Sequence, residues 1–290
     1  MNPLLLEHIG DLIGSPITKV TSVSGGDISA AYCLHMKNGR LFCKLNGSHK
    51  ALDMFKSEKR GLEAIAQTNT VKTPKVFFCD QVESNAFLIM EYIEPKAPSK
   101  KNMELFGHQL AEMHHTDGDF AFGWTENSFI GSLPQSNNVH PDWTTFYVKE
   151  RLQVQLDLAR NNAFLQASEI PSIKSLIEVC DPLFQNISPS ILHGDLWGGN
   201  YIIDANGAPY LIDPSVYYGH SEVDLAMSRL FGGFDGIFYA AYYEQFPLGR
   251  QKKEYYDLYQ LYYLLVHLNM FGSSYYPSVK KLLNTYFDQY

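Results

Sequence analysis

The sequence predicts an α+β fold in two lobes, a small antiparallel sheet with one main helix followed by a larger and mostly helical part. Three observations lead there. The first part of the chain is a series of short apolar segments separated by turn residues. Two prolines in Ile93-Glu94-Pro95-Lys96-Ala97-Pro98 then interrupt it. Beyond them apolar residues recur three or four positions apart, which is the spacing of one helix face. The predicted lobes are residues 1–93 and 94–290.

In the small lobe, Thr18–Val23, Ala30–Met36 and Leu41–Leu45 read as strands. The last two are joined by Lys37-Asn38-Gly39-Arg40, whose Asn-Gly pair is a strong hairpin signal. A helix is predicted over Ala51–Gln67, with Leu52, Phe55, Leu62, Ile65 and Ala66 on its apolar face. Lys75–Cys79 and Ala86–Tyr92 are two more strands around the polar turn Asp80–Asn85. In the second lobe Met103, Phe106, Leu110 and Met113 form one helical stripe, and Asp142–Ala163 and Ser172–Phe184 are further helices. A β-containing insert at Ile191–Asp213 follows. Helix returns at Ser221–Phe231 and at Glu254–Phe271, where Gly272 suits the position that ends a helix.

Composition narrows the partners. The chain has 290 residues, 45% apolar and 19% charged, enough for one large domain or two coupled lobes. A net charge of −8 repels a phosphate backbone, so nucleic acid is not an expected partner; it aids solubility and tolerates a cationic substrate. The four cysteines, Cys33, Cys43, Cys79 and Cys180, form no C-x-x-C pair. His114-His115 has no third ligand at a metal spacing, which argues against zinc. The N-terminal segment meets Glu7 too early for the apolar core of a secretion signal and has no basic lead. No run of 18 apolar residues occurs, so no membrane contact is expected. A cytoplasmic setting with free thiols is the expectation. Hydrolase signatures such as G-x-S-x-G and H-E-x-x-H are missing, as is a P-loop.

The chemistry is concentrated in His193-Gly194-Asp195-Leu196-Trp197-Gly198-Gly199-Asn200 and Asp213. An Asp five residues before an Asn, with a second Asp thirteen further on, is the spacing of a protein-kinase catalytic loop and its metal-binding Asp. Phosphoryl transfer from ATP needs a carboxylate to orient and deprotonate the acceptor hydroxyl, a role that suits Asp195. It also needs hard oxygen ligands for Mg²⁺, which Asn200 and Asp213 offer. Tyr201-Ile202-Ile203 and Tyr210-Leu211-Ile212 flank a turn at Asp204–Gly207, and such a hairpin brings Asn200 and Asp213 to one end. On the ATP side, Gly25 and Gly26 lie between two strands, where backbone N–H groups can approach phosphates. Lys44 sits one strand later, and Glu58 in the next helix can pair with it. Met90, Glu91 and Ile93 run from the last strand into the linker, with the Glu91 carbonyl and the Ile93 amide as expected adenine contacts. Asp224 in Ser221-Glu222-Val223-Asp224 either closes a capping box or braces the catalytic loop.

These segments resemble the fructosamine kinase family, or ketosamine-3-kinases, within the aminoglycoside phosphotransferase-like group. The resemblance rests on His193–Asn200, on Ile212-Asp213-Pro214-Ser215-Val216-Tyr217-Tyr218-Gly219-His220, and on Asp224-Leu225-Ala226-Met227 and Phe231-Gly232-Gly233-Phe234. Phe122-Gly123-Trp124, Ile130-Gly131, Leu133-Pro134-Gln135 and Leu258–Leu265 extend it over nearly the whole chain. It implies a protein-kinase-like fold and Mg-ATP-dependent phosphorylation of the third-carbon hydroxyl of a ketosamine, a sugar–amine adduct, in the repair of glycated proteins. The resemblance allows ribulose, erythrulose or fructose as the sugar. Trp197 is then a wall for the sugar or a packing residue, and His193 a neighbour of the base. Asp27 stands where many relatives have Cys, so no disulfide is expected there. A kinase for another small hydroxyl compound, such as an aminoglycoside or choline, and an inactive binding protein of this fold are the alternatives.

Overall fold

The structure, a computed structural model, describes residues 1–23, 28–115, 121–246 and 253–287. It opens with a helix that the sequence reading left unassigned, α1 (Pro3–Ile13). Local signals for it are present: the Asn2 side chain accepts the Leu4 N–H at 3.0 Å, proline takes the first turn, and Gly14 closes the helix in a left-handed conformation. Leu5 and Ile9 of α1 pack with Leu34, Cys43, Phe87 and Ile89 on one face of the sheet.

That sheet has the order β1-β2-β3-β5-β4 and is antiparallel throughout, from β1 (Ile17–Val23), β2 (Ala30–Met36), β3 (Gly39–Asn46), β4 (Val76–Val82) and β5 (Asn85–Glu91). Met36 pairs with Gly39, so the β2–β3 turn is Lys37-Asn38, one residue earlier than the Asn-Gly signal placed it. The β4–β5 turn closes at Glu83-Ser84 and is tighter than predicted. Helix α2 (Ala51–Gln67) covers the other face, burying Phe55 and Leu62 against Ala86, Leu88 and Met90. Ala66, predicted on its apolar face, is exposed; Gly61 is buried instead.

The proline-bearing segment is more than a linker. Its β6 (Pro95–Lys96) pairs antiparallel with β10 of the second lobe, Lys96 opposite Ile203. In α3 (Lys100–His114) all four stripe residues are buried, and a Ser99–Asn102 capping box starts the helix. A hairpin of β7 (Ser128–Ile130) and β8 (Leu133–Gln135) follows. The predicted helix 142–163 is a continuous run of three parts: α4 (Trp143–Phe146), a π-helical stretch (Tyr147–Gln153) and α5 (Val154–Asn161). After α6 (Ile173–Cys180) come β9 (Ser190–Leu192), β10 (Tyr201–Asp204), β11 (Pro209–Leu211) and β12 (Tyr217–Gly219). The chain closes with α7 (Glu222–Leu230), α8 (Gly236–Gln245), α9 (Lys253–Phe271) and α10 (Tyr276–Phe287). Helix α8, unassigned from sequence, is apolar or aromatic on every side from Ile237 to Tyr243, so no single stripe marks it.

The helical lobe is filled with aromatics, and the polar ends of several of them are paired. Trp143 donates to the Tyr259 hydroxyl at 2.9 Å, and Tyr147 donates to the Leu258 carbonyl at 2.7 Å. Such partners offset the cost of burying the polar end of a Tyr or Trp ring. Gly107 lets α3 and α8 touch: a Cβ there would lie 2.3 Å from the Phe238 carbonyl oxygen.

Candidate active site

Asp195 lies on the loop between β9 and β10. Two short sheets hold that loop, because β9 pairs with β12 and β10 with β11. Tyr201 is opposite Leu211, and Ile212 donates its N–H to the Asn200 carbonyl at 3.1 Å. Asn200 and Asp213 therefore do emerge at the same end of the hairpin. Gly194, at φ +82°, makes the turn before Asp195; a Cβ there would fall 2.1 Å from the Ser215 carbonyl oxygen. The Tyr263 hydroxyl donates to the Gly194 carbonyl at 2.8 Å.

The Asn200 amide donates to the Asp195 carbonyl at 2.8 Å and to its Oδ2 at 3.1 Å, which fixes the direction of the carboxylate. Burial, and then the nearby Asp213 charge, push the Asp195 carboxyl up to about 7, against the opposing hydrogen bond from Asn200. A carboxyl tuned to neutrality is suited to exchange a proton.

His193 is a strut rather than a proton carrier. Its Nδ1 accepts the Asp195 N–H at 3.2 Å, which assigns the proton to Nε2, and Nε2 donates to the Ile212 carbonyl at 2.8 Å. Burial depresses its pKa despite the Asp224 charge.

Asp224 is buried and braces the loop. Its two oxygens accept the N–H groups of His193 at 2.7 Å and Gly194 at 2.9 Å. The capping-box alternative is overturned: the Ser221 side chain makes no cap bond and its backbone is already helical. Asp224 also meets His114 Nε2 at 3.1 Å, and His114 Nδ1 meets the Tyr242 hydroxyl at 2.8 Å. The sequence reading considered His114 only as a zinc ligand and missed this role. No local pattern could have revealed it, since the partners are 110 residues apart.

Lys44 has two carboxylate partners, Glu58 Oε1 at 2.7 Å and Asp213 Oδ1. Burial works against the ammonium, but Asp213 and Glu58 outweigh it and hold Lys44 above its usual range. One cation cannot fully neutralise two carboxylates in so little solvent. Lys44 offsets the burial of Asp213 and holds it below the usual range, whereas burial, with Asp213 adding to it, raises Glu58 to about 7. Gly61 of α2 seats the following Pro214, its own Cβ position only 2.9 Å from the proline ring.

Trp197 is 38% exposed, so it is not a packing residue of the core. Its ring covers Gly199, where a Cβ would meet it at 2.3 Å. The backbones of Gly198 and Gly233 cross at contact, and Gly198 donates to the Gly232 carbonyl at 3.2 Å. This brings the exposed Phe231 near the loop, its ring 4.5 Å from that of His267. Met90, Glu91 and Ile93 sit where β5 leaves the sheet. Met90 and Ile93 are buried, and Glu91 turns its carboxylate back to the Lys75 N–H at 3.3 Å. Gly25 and Gly26 lie outside the described residues. Ile28, just after them, lies close to Gly131 and Met270.

Among the described residues no group of three or more His, Cys, Asp and Glu side chains could hold a metal, and no helix is long and apolar enough to cross a membrane. The donor set at the cleft nonetheless fits Mg²⁺. With its amide nitrogen committed to Asp195, Asn200 offers an amide oxygen, and Asp213, 37% accessible at its side chain, offers a carboxylate. Mg²⁺ takes few protein oxygens and completes its shell with phosphate and water.

A five-stranded sheet carrying a Lys–Glu pair, joined to a helical lobe that presents an Asp–Asn loop and a second Asp, defines a two-lobed, protein-kinase-like phosphotransferase fold. An aminoglycoside phosphotransferase shares it with a TM-score of 0.65 at 12% identity, over 97% of this chain and 98% of that one. The profile of the fructosamine kinase family matches residues 1–289, and the chain belongs to that family. It is 36% identical to a Lactiplantibacillus plantarum protein assigned as a ketoamine kinase, over 93% of this chain and 95% of that protein. It is 39% identical to the chloroplastic protein-ribulosamine 3-kinase of Arabidopsis thaliana, over 93% of this chain and 83% of that one. A crystal structure assigned as a fructosamine-3-kinase from Haemophilus somnus superposes with a TM-score of 0.87 at 26% identity, covering 98% and 96% of the two chains.

Proposed function

We propose that the protein is an ATP-dependent kinase that phosphorylates the 3-hydroxyl of ketosamines, adducts of ribulose, erythrulose or fructose with an amine that can belong to a protein. The observation that carries this is the convergence of Asp195, Asn200, Asp213 and the Lys44–Glu58 pair on one cleft, in a chain 39% identical to a protein-ribulosamine 3-kinase. Residues 1–93 serve as the ATP-binding lobe and 94–290 as the lobe for catalysis and substrate. The 3-phosphate destabilises the adduct, so the amine is released and the glycated protein is repaired. The four free thiols fit a reducing cytoplasm.

Each side chain has a distinct part. Asp195 accepts the proton of the substrate hydroxyl while Asn200 holds its carboxylate in line. Lys44, steered by Glu58, draws the nucleotide phosphates towards the catalytic loop. Gly25 and Gly26 supply backbone N–H groups to those phosphates, and Met90, Glu91 and Ile93 receive the adenine. Asn200 and Asp213 would hold Mg²⁺, which neutralises phosphate charge when bound. Trp197 walls the sugar, and Asp224 keeps the loop in place through His193 and Gly194.

Purified protein with Mg-ATP is tested against ribulose- and fructose-derived lysine adducts, an aminoglycoside and choline. Turnover of a ketosamine, with phosphate on the third carbon by NMR, is expected. Turnover of the aminoglycoside or choline alone refutes the reading.

A further inference from the structure

Asp213 has φ +56°, a left-handed backbone that a non-glycine residue keeps only where its surroundings over-determine it. Lys44 grips its side chain, but the backbone must be held from elsewhere. The hold is two residues later. Ser215 is buried, donates its N–H to the His193 carbonyl at 2.7 Å, and donates its hydroxyl to the Phe129 carbonyl at 2.6 Å. With its proton so committed, the Ser215 hydroxyl can only accept from its remaining partner, the Gln135 amide, at 2.8 Å.

Gln135 is 2% exposed and joins three elements. Its Nε2 reaches Ser215 Oγ, the Ser215 carbonyl at 3.3 Å and Ser128 Oγ of β7 at 2.9 Å. Its Oε1 accepts the Tyr262 hydroxyl of α9 at 2.6 Å. The Ser215 carbonyl can only accept, so the amide nitrogen faces Ser215 and Tyr262 supplies the proton in the bond to Oε1. The end of β8 is itself pinned from behind. Arg151 of the π-helical stretch is fully buried, donates to Asn137 Oδ1 at 2.7 Å and to the Ser136 carbonyl at 2.5 Å, and lies 3.9 Å over the Tyr217 ring. Asn137 in turn donates to Ser128 Oγ at 3.0 Å.

We propose that Gln135 is the positioning residue for the metal-binding carboxylate: through Ser215 it clamps Asp213-Pro214-Ser215 in the one backbone conformation that aims Asp213 into the cleft. The clamp rests on the reading of Asp213 as a metal ligand. Pro214 against Gly61 secures the middle of the tripeptide and Gln135 its end, so Asp213 is presented without an activation step. Ser215, where protein kinases have glycine, is what makes the clamp possible.

The test is nucleotide binding by calorimetry with and without Mg²⁺, on the full chain and on Gln135→Leu and Ser215→Ala. Both variants should weaken Mg-ADP binding by about 10- to 100-fold, the usual effect of losing a residue that orients a metal ligand. ADP binding in EDTA should stay within about twofold. In turnover assays the Mg²⁺ concentration for half-maximal rate should rise while KM for the ketosamine holds. If Gln135→Leu does not fold, Ser215→Ala bears the same expectation. Metal-dependent and metal-free binding falling together, or neither changing, overturns the proposal. The binding arm needs no ketosamine, so a failed substrate screen leaves this result standing by itself.

Discussion

Lys44 and Asp213 form an ion pair across 169 positions of the chain, one on the third strand of the sheet and the other beyond the catalytic loop. Glu58 shares the same ammonium. The sheet and the catalytic loop are thereby coupled through one cation, and under the proposed function nucleotide phosphates would compete with Asp213 for it. On the proposed reading, Lys44 would pass to phosphate and Asp213 would be released to hold Mg²⁺, one set of charge pairs replacing another.

Lys44→Met leaves Glu58 and Asp213 facing each other without a cation. We expect kcat/KM for ATP to fall by on the order of 10²-fold, the scale of removing a preorganised charge at a transferring group. The melting temperature, read by calorimetry, should fall as well, because a broken buried pair strands its partners.

Asp195→Asn separates catalysis from stability. Loss of the base should lower kcat by roughly 10²–10⁴. The folded state binds the Asp195 proton more tightly than the unfolded chain, so its ionised form destabilises the fold increasingly between about pH 4 and 7. At pH 8 the variant should therefore melt a few degrees higher than the parent. A rate near that of the parent would remove Asp195 from the role of base.

The pH profile follows from the same carboxyl. Ketosamine kcat/KM should rise with pH and level off above about 7, the value to which burial and Asp213 raise Asp195. Glu58 titrates in the same region. Glu58→Gln distinguishes them: its acid limb should stay near 7, and a limb that disappears would assign the titration to Glu58.

His114→Leu tests the brace behind the loop. Asp224 would keep the two loop N–H groups but lose His114 and its link to Tyr242. Loss of a buried hydrogen bond of this kind costs about 1–3 kcal/mol. We expect a lower melting temperature and a kcat reduced about tenfold with KM for ATP unchanged, consistent with a loosened catalytic loop. An unchanged kcat would limit His114 to packing.

Local order was widely legible. Strands β2 and helix α2 fall on their predicted residues because turn chemistry and apolar spacing are properties of short segments. The Asp195, Asn200 and Asp213 spacing predicted their common placement because a four-residue turn leaves a hairpin little freedom. Helix α8 escaped notice since aromatics surround it, and the helix 142–163 hid a π-helical stretch that no period reveals.

The sequence by itself determined the family, the two-lobed order and the motif residues, all of which depend on identity and spacing along the chain. Only the tertiary structure decided that Asp224 braces rather than caps, that His114 stands behind it, that Trp197 is exposed, and that Gln135 reaches Ser215. Those are matters of which polar groups remain unpaired once the backbone has folded. Their partners lie 30 to 110 residues away, where hydrogen-bond satisfaction in a closed core, not local propensity, selects the contact.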